Sequence, residues 1–235
     1  MLKVSRQPGG EPEIFHSVQG EGVSSGMPCV FLRLALCNLR CAWCDTKYTW
    51  DWRNYQYDQE VMSLAIDELE RRIVAYNCPR LVLTGGEPTL QSSQAAPLLR
   101  SLKQRGFFIE VETNGTVVPD PDFAAMVDQW NVSPKLANSG NAPERRAVRQ
   151  ALSYYAGQSH AYFKYVIEAP PDLAEVQRLN QQYGIPAART LLMPQATDAA
   201  DLARKSQWLT EQCKEHGFRY SSRLQVILWG ASRGI

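Results

Sequence analysis

The stretch CVFLRLALCNLRCAWCDTKYTW, Cys29 to Trp50, runs from a mostly apolar segment straight into three cysteines, Cys37, Cys41 and Cys44, set within eight residues. An apolar run of this length, bounded by a polar turn, predicts a buried strand. The cysteines then lie on the loop leaving its C-terminal end. Further runs of the same kind follow: LVLTGG (81–86), FFIEVET (107–113), QWNVSP (129–134), YFKYVIE (162–168), TLLMP (190–194) and RLQVILW (223–229). Between them lie stretches of helical period at 59–76, 94–106, 172–184 and 198–217, the last three closing on a glycine as helix ends tend to. Residues 137–157 read as a loop giving way to a helix. Alternating strand and helix predicts an α/β fold on a parallel sheet, and the pattern permits either a doubly wound sheet or an incomplete β/α barrel.

In both architectures, polar groups at the C-terminal ends of parallel strands face the ligand. Cys37 follows the first strand, TGGEPT (84–89) ends the second, ETNGT (112–116) the third, SPK (133–135) the fourth and MPQ (193–195) the sixth. Five polar clusters are therefore expected on one rim.

The bulk composition narrows what that rim serves. Among 235 residues, 25 Lys and Arg oppose 24 Asp and Glu, so the chain has no electrostatic footprint for nucleic acid or an anionic membrane. A small polar substrate suits this balance better. No apolar run is long enough to span a bilayer and the N-terminus has no signal-peptide pattern, so a cytoplasmic protein of one domain over 1–235 is expected. Six cysteines are too few for a disulfide scaffold in a chain of this length, which makes the clustered three metal ligands. Cys29, Cys78 and Cys213 are scattered singly and read as packing or surface thiols.

C-x3-C-x2-C offers three thiolates where a structural zinc site needs four ligands, with His16, Cys29 or Cys78 as candidates for the fourth. A four-iron cluster also normally takes four thiolates, and three would leave one iron open to a small chelating ligand. With aromatic Trp43 before the last cysteine, the 37–44 loop resembles the signature of the radical S-adenosylmethionine superfamily. That resemblance implies a partial, TIM-like β/α barrel and a [4Fe–4S] cluster on Cys37, Cys41 and Cys44. It further implies S-adenosylmethionine chelating the open iron and cleaved by one-electron reduction. TGGEPT resembles the superfamily's GGEP motif, where Gly85 and Gly86 allow the main chain close to a ligand. Read alone, each motif has a plainer meaning: a Gly-Gly turn, an Asn-Gly turn in ETNG, a solvated Lys135 in SPK.

Three features resemble the 7-carboxy-7-deazaguanine synthase family more narrowly. IFHSVQGEG (14–22) is similar to its pterin-contacting opening, CDTKYTW continues past the last cysteine as that family does, and ILWGASRGI (227–235) is similar to the ending of one of its branches. The resemblance implies substrate contacts from Val18, Gln19, Gly20, Glu21, Arg33 and Thr84, with Arg33 on a carboxylate. It implies Mg²⁺ on Thr46, and S-adenosylmethionine contacts from Trp43, Cys44, Asp45, Gly86, Glu112, Asn114, Ser133, Lys135 and Gln195. The implied reaction is radical ring contraction of 6-carboxy-5,6,7,8-tetrahydropterin to 7-carboxy-7-deazaguanine, toward queuosine and related 7-deazapurines. A flavodoxin or ferredoxin donor and a homodimer are expected on the same ground. A glycyl-radical-enzyme activase and a non-enzymatic zinc module are the competing readings. The aromatic segment 48–57 is assigned no role beyond packing.

Overall fold

The computed structural model describes residues 1–230 and 232–235; Ala231, inside the tail ILWGASRGI, lies outside the described residues. Its strands are β1 (Leu2–Ser5), β2 (Ile14–Val18), β3 (Pro28–Leu34), β4 (Val61–Leu64), β5 (Arg80–Gly85), β6 (Phe108–Thr113), β7 (Gln129–Val132), β8 (Ala161–Ile167), β9 (Thr190–Pro194) and β10 (Arg219–Tyr220). They form one sheet in the order β10-β9-β8-β7-β6-β5-β3-β1-β4, with β2 also paired to β3. From β3 through β10 every pairing is parallel, and spatial order follows chain order without reversal. A doubly wound sheet would reverse its order at a switch point. The sheet is instead an open, incomplete β/α barrel, ending at β10 on one side and at antiparallel β1 and β4 on the other.

The crossovers carry α1 (Tyr57–Glu60) and α2 (Ile66–Val74), then α3 (Ser92–Gln104), α4 (Pro121–Ala124), α5 (Pro143–Arg146) with α6 (Arg149–Ala156), α7 (Pro170–Tyr183) and α8 (Ala199–His216); α9 (Leu224–Trp229) follows β10. Two sequence expectations change. The helical stretch 59–76 is broken by β4, because Val61 to Leu64 find backbone partners on β1, from Ser5↔Val61 to Leu2↔Leu64. RLQVILW is helical rather than extended. Its first helical amide, Leu224 N–H, donates to the Gly20 carbonyl at 2.8 Å, while Ile227, Leu228 and Trp229 are left exposed. An apolar run of that length does not distinguish strand from helix by period.

Alternation along each strand divides the sheet into two unlike faces. Val30, Leu32, Leu34, Leu81, Leu83, Ile109, Val111, Trp130, Val132, Phe163 and Tyr165 point outward and join Leu69, Leu98, Leu99, Leu102, Tyr155 and Val176 from the helices in the main core. The opposite, concave face carries Arg33, Thr84, Glu110, Glu112, Gln129, Asn131 and Lys164, with a small apolar group of Phe15, Cys29, Phe31 and Val82. These outward apolar residues on the strands hold the helices; the inner face is free to be polar.

Candidate active site

The concave face opens into a cavity of about 640 Å³ at the C-terminal ends of the strands, a size suited to small-molecule ligands. All the residues that the resemblance assigns to cluster, Mg²⁺, cofactor or substrate line it, together with Glu13, Tyr48, Asn131, Lys164, Arg223, Gln225 and Arg233 to Ile235, whereas His16, Cys29 and Cys78, candidates for a fourth zinc ligand, do not. Each of the five rim clusters contributes.

The cysteine loop is tied to its surroundings through the sulfurs. Leu39 N–H lies 3.5 Å from Cys37 Sγ, Asn141 Nδ2 donates to Cys41 Sγ at 3.3 Å, and Trp50 Nε1 donates to Cys44 Sγ at 3.4 Å. Three N–H donors aimed at three sulfurs suit thiolates holding a cluster. Burial pushes the Cys37 thiol up to about 12, helped by the nearby Glu87, and burial raises Cys41 as well. Among the described residues, no three Cys, His, Asp or Glu side chains converge tightly enough to hold a single ion.

The GGEP turn is held against the cysteine loop by backbone bonds. Gly86 N–H donates to Leu34 O at 2.9 Å and Glu87 N–H to Leu36 O at 2.8 Å. A Cβ on Gly86 would sit 2.1 Å from Leu36 O and 3.0 Å from Cys37 Cβ, so its neighbour is the protein's own cluster loop. Glu87 is fully buried; burial raises its pKa, and donors from Thr89, Thr113 and the Asn114 amide pull against that. The same carboxylate thus locks ETNG to GGEP. Asn114 bridges onward, its Nδ2 donating to Asn38 Oδ1 at 2.9 Å within the cysteine loop. Lys135 folds back onto Ser133 Oγ at 2.8 Å and stands 5.6 Å over the Trp43 ring.

Deeper on the concave face, Gln19 Nε2 donates to Glu110 Oε1 at 2.8 Å and to Glu112 Oε1 at 3.2 Å, and the Thr84 hydroxyl donates to Glu112 Oε2 at 2.7 Å. Glu110 pairs with Arg80 at 3.0 Å and accepts from Asn131; burial and Glu112 raise its pKa. Arg33 commits its Nε to Glu13 at 2.8 Å, and among the described residues neither of its Nη groups has a hydrogen-bond partner. Glu112, which the resemblance assigned to S-adenosylmethionine, is hydrogen-bonded by Gln19 and Thr84 and lines the same cavity as Asn114, Ser133 and Lys135.

Residues 34–135 match the family model of the Radical SAM superfamily. Over nearly its whole length the chain is 37% identical to the 7-carboxy-7-deazaguanine synthase of Pyrobaculum aerophilum, covering 94% of this chain and 95% of the relative. It is 33% identical to the enzyme of that name from Halobacterium salinarum, covering 92% and 89%. The chain belongs to the 7-carboxy-7-deazaguanine synthase family.

As a member of this family it is a radical S-adenosylmethionine lyase, and membership implies S-adenosylmethionine and a [4Fe–4S] cluster. The fold agrees: QueE from Escherichia coli superposes with a TM-score of 0.70 at 24% identity, over 95% of this chain and 94% of that one. Streptococcus suis SuiB bound to S-adenosylmethionine aligns with a TM-score of 0.55 at 16% identity, over 82% and 51%. Among the described residues no helix is long and apolar enough to cross a membrane.

Sequence reasoning missed Lys164 and Arg223, both buried and both on the cavity wall. A charged residue inside YFKYVIE was the available signal for Lys164, as Arg33 inside FLRLAL was. Nothing local marks Arg223, which stands just before the misread helix. Glu21, expected at the substrate, has its carboxylate occupied: it pairs with Lys164, with Arg223 Nε at 3.1 Å and with Gln225 Nε2 at 2.7 Å. Burial alone would raise the Glu21 pKa, but Lys164 and Arg223 outweigh it and hold the carboxyl far below its ordinary 4.5.

Proposed function

We propose that this protein converts 6-carboxy-5,6,7,8-tetrahydropterin to 7-carboxy-7-deazaguanine with release of ammonia, a step toward queuosine and related 7-deazapurines. The observation that carries the proposal is the pairing of unlike polar groups on one cavity. Glu112, flanked by Gln19 and Thr84, offers two acceptor oxygens suited to the adjacent N–H donors of an aminopyrimidinone ring, and Arg33 offers an uncommitted fork suited to a carboxylate. Both line the same cavity as the three cysteines.

Bound together, the cluster and S-adenosylmethionine supply hydrogen-atom abstraction from the substrate. Cys37, Cys41 and Cys44 hold the cluster; Trp43, Asp45, Gly86, Asn114, Ser133, Lys135 and Gln195 form the S-adenosylmethionine side. The 18–20 backbone and the folded-back chain end cover the substrate and exclude water. Thr46 is read as the Mg²⁺ ligand. It precedes a short turn at Lys47–Thr49 without capping it, and its Oγ1 lies 3.7 Å from Cys44 Sγ, which places a hard oxygen beside the cluster loop. One continuous sheet from β4 to β10 supports reading the chain as a single domain. A flavodoxin or ferredoxin type donor, a homodimer and a cytoplasmic setting rest on the family resemblance.

Anaerobic reconstitution with reductant, Mg²⁺, S-adenosylmethionine and the carboxytetrahydropterin tests the proposal by the appearance of the deazaguanine acid. Reconstituted Cys41→Ala should give none, and turnover by that variant would overturn the assignment of the cluster.

A further inference from the structure

Arg223 is the last residue before α9 and is buried, and each of its three side-chain nitrogens donates to a different segment around the cavity. Nε donates to Glu21 Oε1 at 3.1 Å, Nη2 to Asp45 Oδ2 at 2.5 Å, and Nη1 to the Ala196 carbonyl. Glu21 belongs to the SVQGEG segment on the substrate side. Asp45 lies between Cys44 and Thr46, and Ala196 follows Gln195, both on the S-adenosylmethionine side. A planar fork with fixed donor directions can serve three acceptors in this way, whereas a lysine ammonium on a flexible stem cannot reproduce the arrangement.

The contact between the Arg223 segment and SVQGEG is close and polar. Leu224 N–H donates to Gly20 O at 2.8 Å, Gly22 N–H to Ser221 Oγ at 2.8 Å, and a Cβ on Gly20 would fall 1.9 Å from Gln225 Oε1. Lys164 anchors the other oxygen of Glu21 from β8. Two carboxylates, Glu21 and Asp45, thus balance two cations, Lys164 and Arg223, in a hub that touches both halves of the site. The Asp45 side chain is the exposed member, 49% accessible, and Arg223 is what holds it.

We infer that Arg223 is a positioning residue that couples the two ligand sites, so that filling the S-adenosylmethionine side orders Asp45, Arg223 and Glu21 in turn and prepares Gln19 and Gly20 for the pterin. This rests on the substrate assignment made above. A ligand that fixes a shared element spares the second ligand that ordering cost, and the resulting coupling is reciprocal.

The test uses reconstituted holoenzyme with its cluster left unreduced, so that both ligands bind without turnover. The Kd of the carboxytetrahydropterin is measured with and without saturating S-adenosylmethionine, and the Kd of S-adenosylmethionine with and without the pterin. In the natural protein each ligand should tighten the other by the same factor, on the order of tenfold. In Arg223→Lys, and in Asp45→Asn, which removes the charge that Arg223 holds, that factor should fall to about one while cluster content is retained. A purely structural loss would weaken both ligands in parallel and leave the factor unchanged, which would overturn the inference. Pterin binding by the natural protein with no coupling would overturn the inference alone. No pterin binding in either state would overturn the substrate assignment and the inference with it.

Discussion

Replacing Gly86 by alanine should cost the protein its cluster as well as stability, for a reason measurable in the backbone. The new Cβ would stand 2.1 Å from Leu36 O and 2.5 Å from its carbonyl carbon, both main-chain atoms that cannot swing aside. Ordinary contact requires roughly 1 Å or more of additional separation. The two bonds that clamp the turn, Gly86 N–H to Leu34 O and Glu87 N–H to Leu36 O, lie on that line of contact and would open. Each buried pair left unsatisfied costs about 1–3 kcal/mol, so opening both is worth about 2–6 kcal/mol, a large part of a domain's usual margin. Leu36 carries the chain into Cys37, so the displacement also moves the first thiolate. The assay is iron content and visible cluster absorption after anaerobic reconstitution, alongside denaturant unfolding. Gly157→Ala is the control: with φ of −72° and its nearest atom at 3.4 Å, it should be neutral or stabilising by about 0.4–1 kcal/mol. Gly86→Ala with natural iron content and natural stability would refute the reasoning.

The Glu21 carboxyl, lowered in the folded protein, contributes stability that is present above its ordinary value of 4.5 and lost as pH falls below it, because the unfolded chain then takes up a proton that the fold refuses. Denaturant unfolding of the natural protein should therefore lose about 1.4 kcal/mol per pH unit below that point relative to Glu21→Gln, and parallel profiles would count against the ion-pair hub. Glu112→Gln keeps size and polarity but loses one acceptor and the charge; kcat/KM for the pterin should fall by about 10–100-fold with S-adenosylmethionine affinity nearly unchanged. A larger effect on S-adenosylmethionine binding would return Glu112 to the cofactor side.

Much of the site could be read from the chain because its parts are local. The cysteine spacing, GGEP, ETNG and SPK each occupy a few residues immediately after an apolar strand, and strand ends converge in any parallel sheet. The longer strands and helices mostly followed from periodicity, whereas the short β1, β2, β10 and α4 were not anticipated. Two misreadings were decided by partners far away: Val61–Leu64 by β1, and the start of Leu224–Trp229 by Gly20. The alternating polar residues in FFIEVET and QWNVSP were visible, but which face they line depends on where the helices pack.

The sequence by itself determined that this is a three-thiolate, parallel α/β protein with its chemistry on the strand ends, since those features depend on residue type and short spacing. The incomplete barrel, which periodicity left open and the family resemblance implied, is borne out by the sheet order. Tertiary structure alone decided the company Glu112 keeps and the hub in which Arg223 joins residues 21, 45 and 196. Sheet order and ion pairing are properties of segments far apart in the chain, and burial makes them specific: each charge taken out of water on the concave face had to find a partner that no local pattern names.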